Sequence, residues 1–327
     1  MVRRPLLKIE DLSVHFRTAL GVGTAVDHID FSLEAGDSLG IVGESGCGKS
    51  VTAMSILGLI DSPPGKIESG SIFFKNRDLL KLRPDALRDI RGKEISMIFQ
   101  EPMTSLNPVL TIGRQVAEPL VNHRNLAWSA AYKTAEEWLD RVKIPNARKR
   151  LKDYSHQLSG GMRQRVMIAM AMICNPDLLI ADEPTTALDV SIQSQILSLM
   201  AQLKEELGMS LLLITHDMGV IAQMVRRVVV MYAGQIMEVA GVQDIFDRPF
   251  HPYTKGLLKS IPKLGSRTKG HRHRLHEING TVPSFLQKTM GCKFSDRCPE
   301  AFDTCRKQQP MLELIDENRL ARCWLSG

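Results

Sequence analysis

Three short apolar runs end abruptly in polar residues. Ser38–Val42 gives way to the glycine-rich Gly43–Ser50, Leu178–Ala181 to Asp182 and Glu183, and Leu211–Ile214 to Thr215, His216 and Asp217. Short continuous runs of this kind predict strands buried on both faces, as in a parallel sheet. Between them the periodicity turns helical: Ile192, Ile196, Met200, Leu203 and Leu207 share one face, with Gly208 placed to cap the end. Strands alternating with helices predict an α/β architecture. In such sheets ligands gather at the carboxyl ends of the strands, where all three runs place their polar residues.

From about Met103 to Arg165 the strand pattern lapses, and segments such as Ala130–Val142 predict a helical insertion in the α/β core. After about Phe250 the composition shifts again. Pro262–Arg274 is polar, basic and rich in glycine and histidine, and reads as a linker. His271, His273 and His276, interleaved with Arg272 and Arg274, could bind a metal or anionic headgroups, but a solvated linker is the preferred reading.

A length of 327 residues suits about two domains. With 43% hydrophobic and 24% charged residues the chain is neither disordered nor collagenous, and no stretch approaches the ~18 consecutive apolar residues of a membrane helix. A net charge of +6 suits an anionic ligand or a membrane surface without arguing for nucleic acid. The basic start at Arg3 and Arg4 has too short an apolar run behind it for a signal peptide. The six cysteines are therefore expected as cytosolic thiols or metal ligands rather than disulfides.

Gly43-Glu44-Ser45-Gly46-Cys47-Gly48-Lys49-Ser50, followed by Val51, fits a phosphate-binding loop between a strand and a helix. Glycines let successive backbone N–H groups turn toward phosphate oxygens, and the helix N-terminus adds a favourable dipole. Lys49 would reach the β- and γ-phosphates, and the Ser50 hydroxyl would ligate Mg²⁺. Cys47 reads as a small residue that fits the loop. Asp182 and Glu183 are adjacent carboxylates that repel each other unless a cation or proton intervenes. Beside a nucleotide, Asp182 could orient the Mg²⁺ shell while Glu183 polarises the attacking water; the plainer reading is a helix cap or solvated turn. His216 is similarly open between a functional and a merely satisfied polar residue.

The order of motifs then carries a resemblance. The phosphate loop is followed by Phe99-Gln100-Glu101-Pro102, Leu158-Ser159-Gly160-Gly161-Met162-Arg163-Gln164, Ile180-Ala181-Asp182-Glu183-Pro184, Ala187-Leu188-Asp189 and Ile214-Thr215-His216-Asp217. Over about residues 7–245 this resembles the ATPase subunits of ABC transporters, with Met162 where the commonest signature has glutamine. The resemblance implies an ABC nucleotide-binding domain of the P-loop NTPase class, with a parallel-sheet core, an antiparallel β edge and the helical insertion. It implies Gln100 near Mg²⁺ at the joint with the insertion. Ser159, Gly160 and Gly161 would meet the γ-phosphate of ATP held by an opposite subunit. Glu183 would be the catalytic base, Asp189 the dimer-facing acid and His216 the γ-phosphate switch. Phe16 would stack on adenine, although an aromatic there could equally be core.

The tail narrows the resemblance. His251-Pro252-Tyr253-Thr254, Met103-Thr104-Ser105-Leu106-Asn107-Pro108 and Gly291-Cys292-Lys293-Phe294-Ser295-Asp296-Arg297-Cys298-Pro299 are similar to segments of oligopeptide, dipeptide and nickel importer ATPases. Cys292, Cys298, Cys305 and Cys323 have five, six and seventeen residues between successive members, unlike zinc ribbons or ferredoxins. Spacing says only that four thiolates could share one metal centre. The resemblance adds a [4Fe–4S] cluster as the expected occupant, with Zn²⁺ or free thiols as alternatives.

The expected organisation is thus an ATPase domain over 1–250, with its helical subdomain at about 103–165, and a small cysteine-containing C-terminal domain over 251–327. The resemblance implies an ATP-hydrolysing importer subunit on the cytoplasmic face of the inner membrane, most readily for di- or oligopeptides. Its partners would be transmembrane permease subunits, a second ATPase subunit (identical or paralogous) and, indirectly, an extracytoplasmic solute-binding protein, with no nucleic acid. A nickel or other small-solute importer and a soluble non-transport ABC ATPase remain alternatives.

Overall fold

The computed structural model describes residues 5–100, 105–186, 188–261, 278–287 and 289–326. Glu101–Thr104, Ala187, Lys288 and the linker with His271, His273 and His276 lie outside the described residues. The chain forms two bodies. One comprises Leu33–Ser38 and Lys81–Leu213, the other Pro5–Ser32, Leu39–Leu80 and Ile214 onward.

The second body carries the phosphate loop. Strands β1 (Leu7–Thr18), β2 (Gly21–Leu33), β4 (Gly65–Phe74) and β5 (Arg77–Asp78) form a sheet in the order β2-β1-β4-β5. β1 runs antiparallel to β4 from Leu7 opposite Phe74 to Phe16 opposite Gly65. The antiparallel strands expected at an edge therefore make a sheet of their own. Its core includes Leu7, Ile9, Leu12, Val14, Ile72 and Phe74, all essentially without exposure.

In the same body β3 (Ser38–Val42) runs parallel to β9 (Arg227–Tyr232), with Leu39 opposite Arg227 and Val42 opposite Val230. Every residue of β3 is buried, as its unbroken apolar run requires. β10 (Gln235–Gly241) returns antiparallel to β9 through Ala233 and Gly234, whose φ values of 46° and 83° suit a tight hairpin turn. The order continues through β12 (Arg319–Ala321) to β11 (Glu313–Asp316), both antiparallel additions. β12 pairs with β10, and the tail shares one body with the phosphate loop. Helices α1 (Lys49–Ile56), α8 (Met218–Met224), α9 (Val242–Asp247), α10 (Pro252–Lys259) and α11 (Asp303–Lys307) complete it.

The first body places β6 (Ile95–Ile98) parallel to β7 (Leu178–Asp182), with β8 (Ser210–Thr215) next in the order β8-β7-β6. Around them lie α2 (Pro84–Ile90), α3 (Ile112–Arg124), α4 (Trp128–Arg141), α5 (Ala147–Arg150), α6 (Gly160–Met172) and α7 (Val190–Leu207). The helical stretch runs past 165 to Met172, because the Ser159–Gly161 signature itself opens its last helix. α7 buries Ile196, Met200 and Leu203 on the expected face, and Gly208 ends it in the left-handed conformation.

Candidate functional site

β3 delivers the chain into the phosphate loop, and its glycines are fixed by what surrounds them. A Cβ on Gly43 would lie 2.1 Å from the Met231 carbonyl oxygen. Gly48, at φ +103°, would place one 2.5 Å from the Ala25 oxygen. No side chain fits either position. Gly46, also left-handed, has open space instead, beside a cavity of about 250 Å³ that Thr24, Ala25, Gln287, Thr289 and Lys293 help to line. Ser45 is exposed and Ser50 half-buried at the second position of α1, with Val51 after it. The Lys49 ammonium, nearly buried, donates to the carbonyl oxygens of Gly43 (2.8 Å) and Glu44 (3.0 Å). Cys47 is fully buried, and burial pushes its thiol up.

Phe16 is half-buried near the end of β1, its ring against Gly65, where a Cβ would approach it to 2.9 Å. His216 is exposed at the corner between β8 and α8. Thr215 Oγ1 accepts from the Asp217 N–H at 3.0 Å, and Asp217 Oδ1 accepts from the N–H groups of Gly219 (2.7 Å) and Val220 (3.3 Å). This cap holds the corner rigid, with the imidazole presented outward.

The first body holds the other candidates. Asp182 ends β7, almost fully buried, and Glu183 follows with φ +46°, a conformation that non-glycine residues adopt at a cost. Gln100 Nε2 donates to Glu183 Oε2 at 3.1 Å, and Thr186 Oγ1 donates to the same oxygen at 2.8 Å. Two motifs 83 residues apart thus meet at one carboxylate. Ser159 caps α6, its Oγ accepting from the Met162 N–H at 3.4 Å. Ser159 and Gly160 are exposed, and a Cβ on Gly161 would come within 2.9 Å of Ile192 on α7. Asp189 is exposed and caps α7. Its Oδ1 accepts from the Ile192 N–H (3.0 Å) and the Ser191 hydroxyl (2.8 Å), and these bonds hold its carboxyl below the usual range. The signature and the Asp189 turn are therefore joined through Ile192.

In the tail, Cys292, Cys298, Cys305 and Cys323 line one small cavity of about 10 Å³ with His251, Phe294 and Trp324. That is room for about one water-sized sphere. The soft donor set is of the kind that suits a thiolate metal centre. Among the described residues no three of His, Cys, Asp or Glu are arranged to hold a metal, so the expected [4Fe–4S] cluster and its Zn²⁺ alternative gain no support. Burial pushes the thiols of Cys292, Cys298 and Cys323 up, Cys292 to about 11.

The ABC transporter family pattern matches residues 26–186, and the pattern described as "Oligopeptide/dipeptide transporter, C-terminal region" matches residues 237–305. A probable peptide ABC transporter ATP-binding protein of Sinorhizobium fredii is 50% identical over 98% of this chain and 95% of its own length. The chain belongs to the ABC transporter ATP-binding family. The oligopeptide transport protein AppD of Bacillus subtilis is 49% identical, covering 98% of this chain and 96% of itself. The dipeptide transport protein DppD of the same organism is 48% identical, covering 98% and 94%. A dimeric ATP-binding cassette solved with ADP and phosphate superposes with a TM-score of 0.65 at 28% identity, over 72% of this chain and 98% of that one. As an ABC ATPase the chain hydrolyses ATP with Mg²⁺ and serves membrane permease partners. Among the described residues no helix is long and apolar enough to cross a membrane.

The second match takes in His251, Tyr253, Cys292, Arg297, Cys298 and Cys305 but stops short of Cys323. Within it lie contacts that sequence reasoning missed. Arg297 and Tyr253 both bind Glu44 of the phosphate loop. Their segments stood out in the sequence as marks of a subgroup, and only the fold shows what they touch.

Proposed function

We propose that this ABC ATPase couples ATP binding and hydrolysis to uptake of di- or oligopeptides, from the cytoplasmic face of the inner membrane. The peptide assignment is supported by relatives named for peptide transport and by the tail match at residues 237–305. A solute-binding protein would deliver the cargo to the permease. The partner ATPase is a second copy or a paralogue, since this chain retains both the phosphate loop and the signature.

In this reading Gly43, Ser45, Gly46, Cys47, Gly48, Lys49, Ser50 and Val51 bind the phosphates, and Phe16 stacks on the base. When bound, Mg²⁺ supplies charge neutralisation at the β- and γ-phosphates, and the hard oxygen donors of Ser50, Gln100 and Asp182 suit it. Lys49 leaves its loop carbonyls for phosphate oxygens. Ser159, Gly160 and Gly161 of one subunit offer helix N-terminal N–H groups to the γ-phosphate held by the other, Asp189 faces the dimer seam and His216 senses the γ-phosphate. Glu183 takes the proton of the attacking water, with Gln100 and Thr186 fixing the carboxylate beforehand.

The observation that carries the reading is that Gln100–Glu183 contact at 3.1 Å, on a residue held at φ +46°. Glu183→Gln keeps the hydrogen-bonding shape and removes the base. It should bind ATP, accumulate a closed dimer on size exclusion, and lose turnover by roughly 10²–10⁴-fold. Near-normal hydrolysis would place the base elsewhere. For the cargo, uptake of labelled peptides by the assembled transporter is expected, and uptake of nickel without peptides would reassign it.

Residues 251–327 are proposed as a subgroup-specific region added to an ATPase domain over 1–250, and the four cysteines as a thiolate metal site. Anaerobic purification followed by iron, sulfide and zinc analysis separates a [4Fe–4S] cluster from zinc; neither metal at stoichiometric amount would leave four structural thiols.

A further inference from the structure

Glu44, the second residue of the phosphate loop, is fastened from three sides. Arg297 binds its carboxylate bidentately, Nη1 to Oε2 at 2.7 Å and Nη2 to Oε1 at 3.0 Å. The Glu44 backbone N–H donates to Tyr253 Oη at 2.9 Å. Its carbonyl oxygen accepts from Lys49 Nζ at 3.0 Å. One residue thus joins the tail to the lysine that meets the phosphates.

The tail's side of this joint is rigid. The Arg297 side chain is 5% exposed and donates from Nε to the Asn279 oxygen (2.9 Å), from Nη2 to the Ile278 oxygen (3.1 Å) and from Nη1 to Tyr232 Oη (3.2 Å). Its guanidinium also lies over the Tyr232 ring. Tyr232, Tyr253 and Phe294 pack edge-on or tilted against one another, with ring centroids 4.8–5.3 Å apart, and all three are essentially fully buried. Such rings have little freedom to move.

Two physical consequences follow for an anionic ligand. A loop whose shape is held in advance loses less conformational entropy on binding. A carboxylate inside a phosphate-binding loop repels the ligand unless a cation neutralises it, and Arg297 does so at bidentate range. We propose that Arg297 and Tyr253 are positioning residues for ATP binding, acting through Glu44 to shape the phosphate loop and to cancel its one acidic charge. Neither touches the nucleotide. The inference rests on the reading of Gly43–Ser50 as the ATP site.

The test uses the full chain, with ATP affinity measured by calorimetry and KM and kcat by phosphate release. Arg297→Ala should raise Kd and KM for ATP about tenfold, the scale of one lost charge-assisted hydrogen bond, while kcat changes less than about twofold. Arg297→Lys, which keeps the charge but not the fork, should fall between. Glu44→Gln combined with Arg297→Ala should bind ATP more tightly than Arg297→Ala alone, because the uncancelled carboxylate is gone. Lost packing alone gives no such rescue. Tyr253→Phe keeps the ring and should still raise KM severalfold, which retains a readout if Arg297→Ala misfolds. Wild-type affinity in both Arg297→Ala and Tyr253→Phe, or a double variant no better than Arg297→Ala, overturns the proposal. A wild-type chain that binds no ATP overturns the nucleotide reading instead.

Discussion

Lys49 makes two charge-assisted bonds to its own loop, at 2.8 and 3.0 Å, and on the proposed function would exchange both for phosphate oxygens. Lys49→Ala removes the exchange partner, and Kd for ATP should rise by about two orders of magnitude, corresponding to ~3 kcal/mol. Equilibrium titration with a fluorescent nucleotide measures it. Cys47, two residues earlier, is expected to be silent. Its thiol is buried and its pKa raised by that burial, so the reactive thiolate is scarce at neutral pH. Iodoacetamide at pH 7–8 should leave Cys47 unmodified in the folded chain and label it after denaturation, as peptide mass mapping would show. These residues were legible because their partners lie within a few positions. The Glu44–Arg297 pair was not: its members stand 253 positions apart, and an arginine in a polar tail looks like a solvated charge until the fold buries it.

Helix ends show how elements aim functional side chains. Asp217 caps α8 with one oxygen that serves two N–H groups, and His216 sits immediately before it. Asp217→Ala should cost about 1 kcal/mol in thermal unfolding, whereas Asp217→Asn, which keeps an acceptor, should cost only a fraction of that. Equal losses in the two variants would mean that the charge, not the cap, matters. β3, β7 and β8 were legible as strands because each is an unbroken apolar run. β11 and β12 were not. They are four and three residues long and carry Glu313, Asp316 and Arg319, so nothing local marks them as strands. They form because β10 offers a backbone ladder. Arg319 reaches Glu238 on β10 at 3.4 Å, and that buried carboxylate also accepts from the N–H groups of Phe250 and His251, which lead into α10.

At the scale of the molecule, the tail is part of the cassette's own core. Removing residues 251–327 would strip β12 from β10 and delete Tyr253 and Phe294, both essentially unexposed. Losing one buried aromatic ring costs about 3–5 kcal/mol, against a typical total stability of about 5–15 kcal/mol. A chain ending at residue 250 should therefore be insoluble or lack a cooperative melt by circular dichroism. A well-behaved fragment with wild-type ATP affinity would show that the tail is dispensable to both fold and nucleotide.

The separation of Glu44 from Arg297 also sets an order in time. A ribosome adds about 5–20 residues per second, so the arginine arrives ~10–50 s after the glutamate it neutralises, 253 positions later. On the role proposed for Arg297, the nascent cassette carries an uncancelled negative charge in its cradle throughout that interval and should hold cellular nucleotide poorly. Arrival of Arg297 would then be what licenses the newborn subunit to take on fuel.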